Sequence, residues 1–416
     1  MDMGIETAPV RIPHPGMGFR EFVACVALIQ ATIALAIDMM VPALGQIGAA
    51  MHLGAGNQRQ WVISAFLLGY AATQLLYGVA ADRFGRKPVL IVSLSIYVLF
   101  SFACAFAPGF GWLLAARALQ GLGAAGAQVL TSAIIRDCYV GRRMAEVNSL
   151  VFMVFLSAPI FAPSLGQLVL LVANWPVIFI GLGVYGAFIL GWVVLRLPET
   201  QHTTDIKPVT TGEMAAAFGT TLRSRVSIVY ALASTLLLGG WLGFINSAQQ
   251  VFSQVFGVPK LFPLIFAACS VCMAIAALTN ARLVERLGMR PLSHTALAGY
   301  IVVTIAQAAL ALSGHSGLLG FAVLQSAMMF CFGLLGANFN AIAMEPLGAV
   351  AGTAASVLGF ISMLGATLIG FFIGQCFDGT LVPMTVGFFV CGVLAMGLIA
   401  WVENFRLFRA SSARQT

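Results

Sequence analysis

The feature that most constrains this chain is a set of apolar segments, each about 20 residues long, that recurs from Glu21 to Val402. Wound as an α-helix rising about 1.5 Å per residue, such a segment spans the roughly 30 Å hydrocarbon core of a bilayer. Twelve can be placed: 21–47, 60–80, 88–107, 112–135, 147–172 and 177–197, then 226–252, 261–284, 291–312, 318–344, 350–376 and 382–402. Only 8% of the residues are charged, against about a quarter in a soluble domain. That excludes a water-soluble globule, and the expected fold class is an all-α membrane protein.

The longest polar stretch, LPETQHTTDIKPVTTGEM, separates the sixth span from the seventh and admits a short amphipathic helix near Met214 to Leu222. The chain therefore divides into a leader (1–19) with Pro9, Pro13 and Pro15, a six-helix bundle (20–197), a linker (198–224), a second six-helix bundle (225–404) and a tail (405–416). Lys and Arg beside membrane segments stay on the cytoplasmic side. With both termini placed there, 18 of the 21 basic residues fall in cytoplasmic segments, only Arg59 and Lys260 fall in outside loops, and Arg117 lies within a span. The net charge of +7 then describes an inner face against anionic lipid and requires no nucleic acid. The first apolar run is too long for a signal peptide and is expected to remain as helix 1. The eight cysteines lie nearly all inside spans. They read as packing residues, the Cys269 and Cys272 pair included, and imply no disulfide.

One stretch stands out against the low charge. GVAADRFGRKP, residues 78–88, crowds Asp82, Arg83, Arg86 and Lys87 around Gly85, and it meets a copy 203 residues later in ARLVERLGMRP, 281–291. Arg83, Gly85 and Pro88 recur as Arg286, Gly288 and Pro291, and Asp82 is matched by Glu285. Both copies follow the second helix of a half. This is the trace of a duplicated six-helix unit, with a site expected near the midplane between the halves.

These residues carry a resemblance to the major facilitator superfamily, in its twelve-helix drug:proton antiporter branch, over the whole chain. GVAADRFGRKP resembles the loop signature after helix 2, and RALQGLGAAGA at 117–127 resembles the branch's helix 4 signature with its membrane arginine. Helix 1 supplies DMMVPAL at 38–44 and helix 5 SAPIFAPSLGQ at 157–167. AMEPLGAVAGTAAS at 343–356 is similar to the segment before helix 11 in the Bcr/CflA (bicyclomycin and chloramphenicol resistance) type. In helix 5 the chain departs from the usual pattern, with Ala162 before Pro163 and Gln167 after Gly166. The resemblance implies two pseudo-symmetric bundles, multidrug efflux in exchange for protons by alternating access, no cofactor, and action as a monomer in a bacterial inner membrane.

Asp82 is placed where helix 2 ends, on the side where helix 11 begins near Gly352 and Thr353 with unpaired amides and a positive dipole end. The resemblance implies a contact there. Gly78, one turn earlier, would let helices 2 and 11 approach closely. Arg83, Arg86 and Lys87 can pair with acids or lipid phosphates, and Gly85 permits the turn. By the repeat, Glu285 and Arg286 belong to the matching contact, Glu285 meeting the start of helix 5 near Ala145. Such latches would favour an outward-open state; the alternative is a set of solvated cations that fixes orientation.

Of 14 acidic residues, the predicted spans place only Asp38 well inside the hydrocarbon region, Glu21 being at an entry edge. An ionised side chain there is costly without water or a partner, so its default reading is functional. Arg117 is the natural counter-charge at a compatible depth. A movement that changes their separation would couple proton uptake to conformation; the alternative is a permanent buried pair that only fixes packing.

Drug-site candidates are Tyr70 and Gln74 in helix 2, Gln120 in helix 4, Trp241, Asn246 and Gln250 in helix 7, and Asn338 and Asn340 in helix 10. A helix–helix hydrogen bond is an equal reading for each. Pro159 and Pro163 should bend helix 5 and Gly166 should pack closely. The resemblance implies that they seal the outer side against leak; a static kink is the other reading. His14, His52, His202, His294 and His315 fall in predicted loops or at span ends without metal-ligand spacing. No phosphate-binding loop is present in the sequence, so an enzyme or an ATP-driven pump is not expected. A proton-coupled exporter or facilitator of a metabolite is the remaining rival within the fold.

Overall fold

Backbone polar groups in lipid must be satisfied within the chain, and segments this apolar satisfy them as helices. The computed structural model describes residues 17–54, 56–201 and 218–408. Twelve helices among them are long and apolar enough to cross a membrane. The first six are α1 (Phe19–Ala50), α2 (Asn57–Phe84), α3 (Arg86–Ala105), α4 (Phe110–Cys138), α5 (Gly141–Val172) and α6 (Pro176–Arg196). The second six are α7 (Arg225–Val255), α8 (Pro259–Leu287), α9 (Met289–Leu312), α10 (Leu318–Gly348), α11 (Gly352–Gln375) and α12 (Val382–Val402). The expected leader up to residue 16, the linker between 202 and 217, and the tail from 409 lie outside the described residues; 218–223 are helical.

The packing repeats with a shift of six helices. In the first half α1 packs on α4, α5 and α6, α2 on α4, and α3 on α4 and α6; in the second α7 packs on α10, α11 and α12, α8 on α10, and α9 on α10 and α12. The most extensive packing between the halves pairs α2 with α11 and α5 with α8, and the same shift exchanges one pair for the other; the end of α1 also meets α7. A pseudo-twofold therefore runs through the seam between the bundles.

The repeat extends to single residues. Gly85 and Gly288 each end one helix and open the next at nearly the same backbone angles, φ 94°, ψ 157° and φ 83°, ψ 158°, a conformation open to glycine and not to residues with a Cβ. Tyr97 and Tyr300, 203 residues apart, both pack against a glycine of the sixth helix of their half, Gly186 and Gly392. Close approach inside the first bundle depends on small residues: a methyl group at Gly69 would overlap the Ala118 backbone, and one at Gly121 the Phe66 carbonyl.

Two helices are irregular where they face each other. Regular helix in α1 stops at Asp38, a 3₁₀ turn takes Val41–Ala43 around Pro42, and helix resumes at Leu44–Ala50. Beside this break runs α5, which contains both Pro159 and Pro163 without ending. Gly166 of α5 lies so close that a Cβ would overlap the Met39 carbonyl.

Candidate functional site

Both described chain ends lie at the same end of the bundle as the charged loops, here the basic end. At the opposite end, α2, α7 and α11 meet across the seam through uncharged amides. Asn57 Nδ2 donates to the carbonyls of Gln375 (2.9 Å) and Phe377 (2.8 Å). Gln60 Nε2 donates to Gln250 Oε1 (2.5 Å), Gln250 Nε2 to Asn57 Oδ1 (2.6 Å), and Gln375 Nε2 to the Asn57 carbonyl (3.1 Å) and to Gln60 Oε1 (3.3 Å). Ser64 reaches Asn246 at 3.5 Å. Gln60, Asn246 and Gln250 are buried. Directly after Gln250, α7 winds into a π turn over Val251–Val255, an irregularity frequent at functional positions. Among the described residues, the hydrogen bonds that cross between the halves all lie at this end.

Part-way along α1, Asp38 sits at the helix break, 2% exposed. Twelve residues separate it from the amide end of α1, Ala50, about 18 Å at 1.5 Å per residue. Among the described residues no hydrogen bond or ion pair reaches its carboxylate. Arg117, expected as its counter-charge, is turned into the first bundle and fully buried. Its Nε donates to the Val62 carbonyl (3.0 Å) and its Nη1 to Gln120 Oε1 (2.7 Å), and Gln120 in turn donates to Ser101 (2.7 Å). The guanidinium lies over Phe66 at 4.5 Å and near Phe179 at 5.7 Å, and Nη2 has no partner. A permanent Asp38–Arg117 pair is thus not what this conformation contains: a backbone carbonyl and a glutamine one turn away satisfy the cation first.

The other candidates divide by location. Gln74 faces Gly359 of α11 across the seam, its Oε1 unpartnered. Asn246 keeps an unpartnered Nδ2, and Gln250 belongs to the amide cluster. Tyr70 donates to Gln128 Oε1 (2.5 Å) within the first half. Trp241 stacks on Phe332 at 6.0 Å, and Asn340 is exposed. Asn338 is held inside the second half by Asn280 (2.6 Å), and Gln120 inside the first by Arg117. Sequence reasoning missed Asn57, Gln60 and Gln375, which stand at span edges where a polar residue reads as loop; the readable signal was their shared depth with Gln250.

At the basic end the charges work within each half. Arg86 opens α3 right after the Gly85 turn, four residues beyond Asp82, and its guanidinium binds Asp82 (2.6 Å) and Asp137 at the end of α4 (3.0 Å). Glu199, just past α6, accepts from the first amides of α3, Arg86 N (3.0 Å) and Lys87 N (3.1 Å), where a carboxylate suits the helix dipole. Lys87 Nζ reaches the Val194 carbonyl at 3.0 Å, and Arg83 is exposed beside Phe84. In the second half Arg290 bridges Glu345 at the end of α10 (3.1 Å) and Glu403 just past α12 (3.0 Å). Each cluster binds the second-to-third helix corner to the ends of the fourth and sixth helices.

Among the described residues the expected contact from Asp82 to the first amides of α11 is not made; Arg86 ties that carboxylate instead. Gly78 does face α11, at Ser356. Glu285 and Arg286 are exposed, as is Ala145, and among the described residues no ion pair links them across the seam.

The sequence profile described as Major Facilitator Superfamily matches residues 26–370. The chain is 25% identical over 379 residues to the bicyclomycin resistance protein homolog of Haemophilus influenzae, covering 90% of this chain and 94% of that one. It is 29% identical over 365 residues to the multidrug resistance protein MdtL of Shewanella sp. (strain ANA-3), covering 84% and 87%. To YdgK of Bacillus subtilis (strain 168), an uncharacterized MFS-type transporter, it is 28% identical over 363 residues, covering 86% and 90%. Among solved structures, the xylose transporter XylE from E. coli, in a partially occluded inward open conformation, matches with a TM-score of 0.68 at 13% identity over 92% of this chain and 96% of that one. A bacterial homolog of the human lysosomal transporter Spinster matches at 0.66 and 16%, over 93% and 95%. At these identities the structural likeness speaks to the fold.

Proposed function

The chain belongs to the Major Facilitator Superfamily and is a multi-pass membrane transporter, not an enzyme; we propose that it exports small amphipathic drugs across a bacterial inner membrane in exchange for protons. The observation that carries this reading is Asp38, a buried carboxyl group without a partner at the point where α1 breaks. Discontinuous helices mark ion and substrate sites in secondary transporters. An unpaired charge there is costly, so the protonation state of Asp38 depends on whether water or a cationic group reaches it. Alternating access then supplies the coupling, since each conformation offers the carboxyl a different surrounding.

The relatives named for bicyclomycin and multidrug resistance support drugs as the cargo. Gln74 Oε1 and Asn246 Nδ2, unpartnered near the seam, are available to a polar group on an otherwise apolar molecule. In this reading the basic end faces the cytoplasm and anionic lipid, the amide end faces outward, and a single chain performs the cycle. The Asp82, Gly85 and Glu285 corners stay candidates for inter-half contacts made in the opposite conformation, and Pro159, Pro163 and Gly166 hold α5 against the α1 break.

The test is drug susceptibility of an efflux-deficient bacterium expressing the chain, repeated with Asp38→Asn. Resistance to several unrelated compounds should appear with the wild type and disappear in the variant, while the variant still binds drug. Resistance retained by Asp38→Asn removes that residue from the coupling, and no resistance from the wild type favours export of a metabolite, the cargo class suggested by the fold shared with a xylose transporter.

A further inference from the structure

The charge cluster of the second half continues into a hydrogen-bonded chain that the first half lacks. Tyr230 on α7 donates its hydroxyl proton to Glu403 (2.9 Å), His294 Nε2 lies 3.1 Å from the Tyr230 oxygen, and the Phe408 amide donates to His294 Nδ1 (3.1 Å). The positions 203 residues earlier hold Ala27 and Ile91, so nothing comparable can form there. His294 and Tyr230 are fully buried.

The partners fix the protons. An amide N–H only donates, so Nδ1 must be the bare nitrogen; Nε2 then carries the imidazole hydrogen and donates to Tyr230, which donates to the carboxylate. The chain Phe408, His294, Tyr230, Glu403 is complete only with His294 neutral. From these contacts we propose that His294 is a proton-binding site, separate from Asp38, that fastens the C-terminal segment 403–408 onto the second bundle when neutral and releases it when protonated.

A second proton can enter only at Nδ1, where it would place one N–H against another. The segment it would release is strained as it stands. Asn404, Phe405 and Phe408 have φ of 51°, 58° and 63°, a left-handed conformation unfavourable for residues with a Cβ and kept only where contacts enforce it. The Phe408 ring meets the imidazole edge-on at 6.0 Å and is itself half exposed, so undocking gives water access to the nitrogen.

The charges facing the site can accept the change. Arg290 lies one turn before His294 on α9, Glu403 follows α12, Glu345 ends α10 and Tyr230 comes from α7. Two carboxylates and one guanidinium leave one net negative charge, which an imidazolium would balance. Because docking requires the neutral ring, acid favours the undocked state by linkage, by up to tenfold per pH unit below the ordinary imidazole value of about 6.5. The inference concerns the basic end alone and does not depend on what is carried.

The test uses the full chain in lipid nanodiscs, with its eight native cysteines replaced by alanine and a nitroxide attached through Arg406→Cys. The label should be immobilised at pH 8 and mobile at pH 5.5. With His294→Gln, whose side-chain carbonyl accepts an N–H but takes up no proton in this range, it should be immobilised at both; with His294→Phe it should be mobile at both. Equal mobility of the wild type at the two pH values, or a glutamine variant that titrates like the wild type, overturns the proposal. If the glutamine variant does not assemble, the wild-type pair of spectra decides alone.

Discussion

At the amide end the two halves hold each other through uncharged side chains; at the basic end the charges hold each half to itself. The amide contacts link α2 to α7 and α11, whereas Arg86 and Arg290 each gather acids of their own bundle. The difference follows from cost. A neutral hydrogen bond exchanged with water contributes only about 0.5–1.5 kcal/mol net, so such a contact can open and close in a working cycle. Removing one partner of a half-buried charge cluster costs about 2 kcal/mol, which suits joints that stay shut. In the proposed cycle the bundles move as bodies and part at the seam.

Three substitutions probe this difference, one at the amide end and two at the basic end. The larger effect is expected from Gln60→Glu, which sets a carboxylate against the Gln250 carbonyl oxygen at a buried position. Loss of that bond and burial of a charge weaken the closed seam by roughly 3 kcal/mol. Labelling of a cysteine at Ser64 by a membrane-impermeant maleimide should rise about a hundredfold, with little change in melting temperature. Next comes Arg86→Ala, which strands Asp137 and Asp82, or Arg290→Ala, which strands Glu403 and Glu345. Each should lower the stability of the purified protein by about 2 kcal/mol, read as a lower melting temperature, while the Ser64→Cys labelling rate of the folded fraction stays the same. A labelling change from Arg86→Ala as large as that from Gln60→Glu would mean that the basic clusters do reach across the seam.

Much of this architecture is legible in the sequence because lipid imposes simple rules. Twelve apolar runs give twelve helices, and the GVAADRFGRKP copy at 281–291 announces the duplication that the Gly85 and Gly288 corners display. The break after Asp38 was not foreseen: the first run reads as continuous helix over 21–47, and Pro42 can sit early in a new turn without showing on which side the old one ends. Partner choice is less legible still. Asp82 is followed in sequence by three cations, Arg83, Arg86 and Lys87, and only the Gly85 turn and the position of α4 decide that Arg86 joins it to Asp137. The sequence places Arg117 and Asp38 at compatible depths, yet the direction in which a side chain leaves its helix settles whether they meet. His294 lacked metal-ligand spacing and so carried no signal, since its partners Tyr230 and Phe408 lie 64 and 114 residues away.

In the proposed cycle the seam must open at the amide end for transport to occur. The most direct measurement joins Asn57→Cys and Gln375→Cys with a short reversible thiol cross-linker, in the cysteine-replaced chain, and follows drug uptake into vesicles driven by a pH gradient. Uptake should proceed before cross-linking, stop when the two helices are joined, and return on reduction. Undiminished uptake by the cross-linked protein would contradict the account.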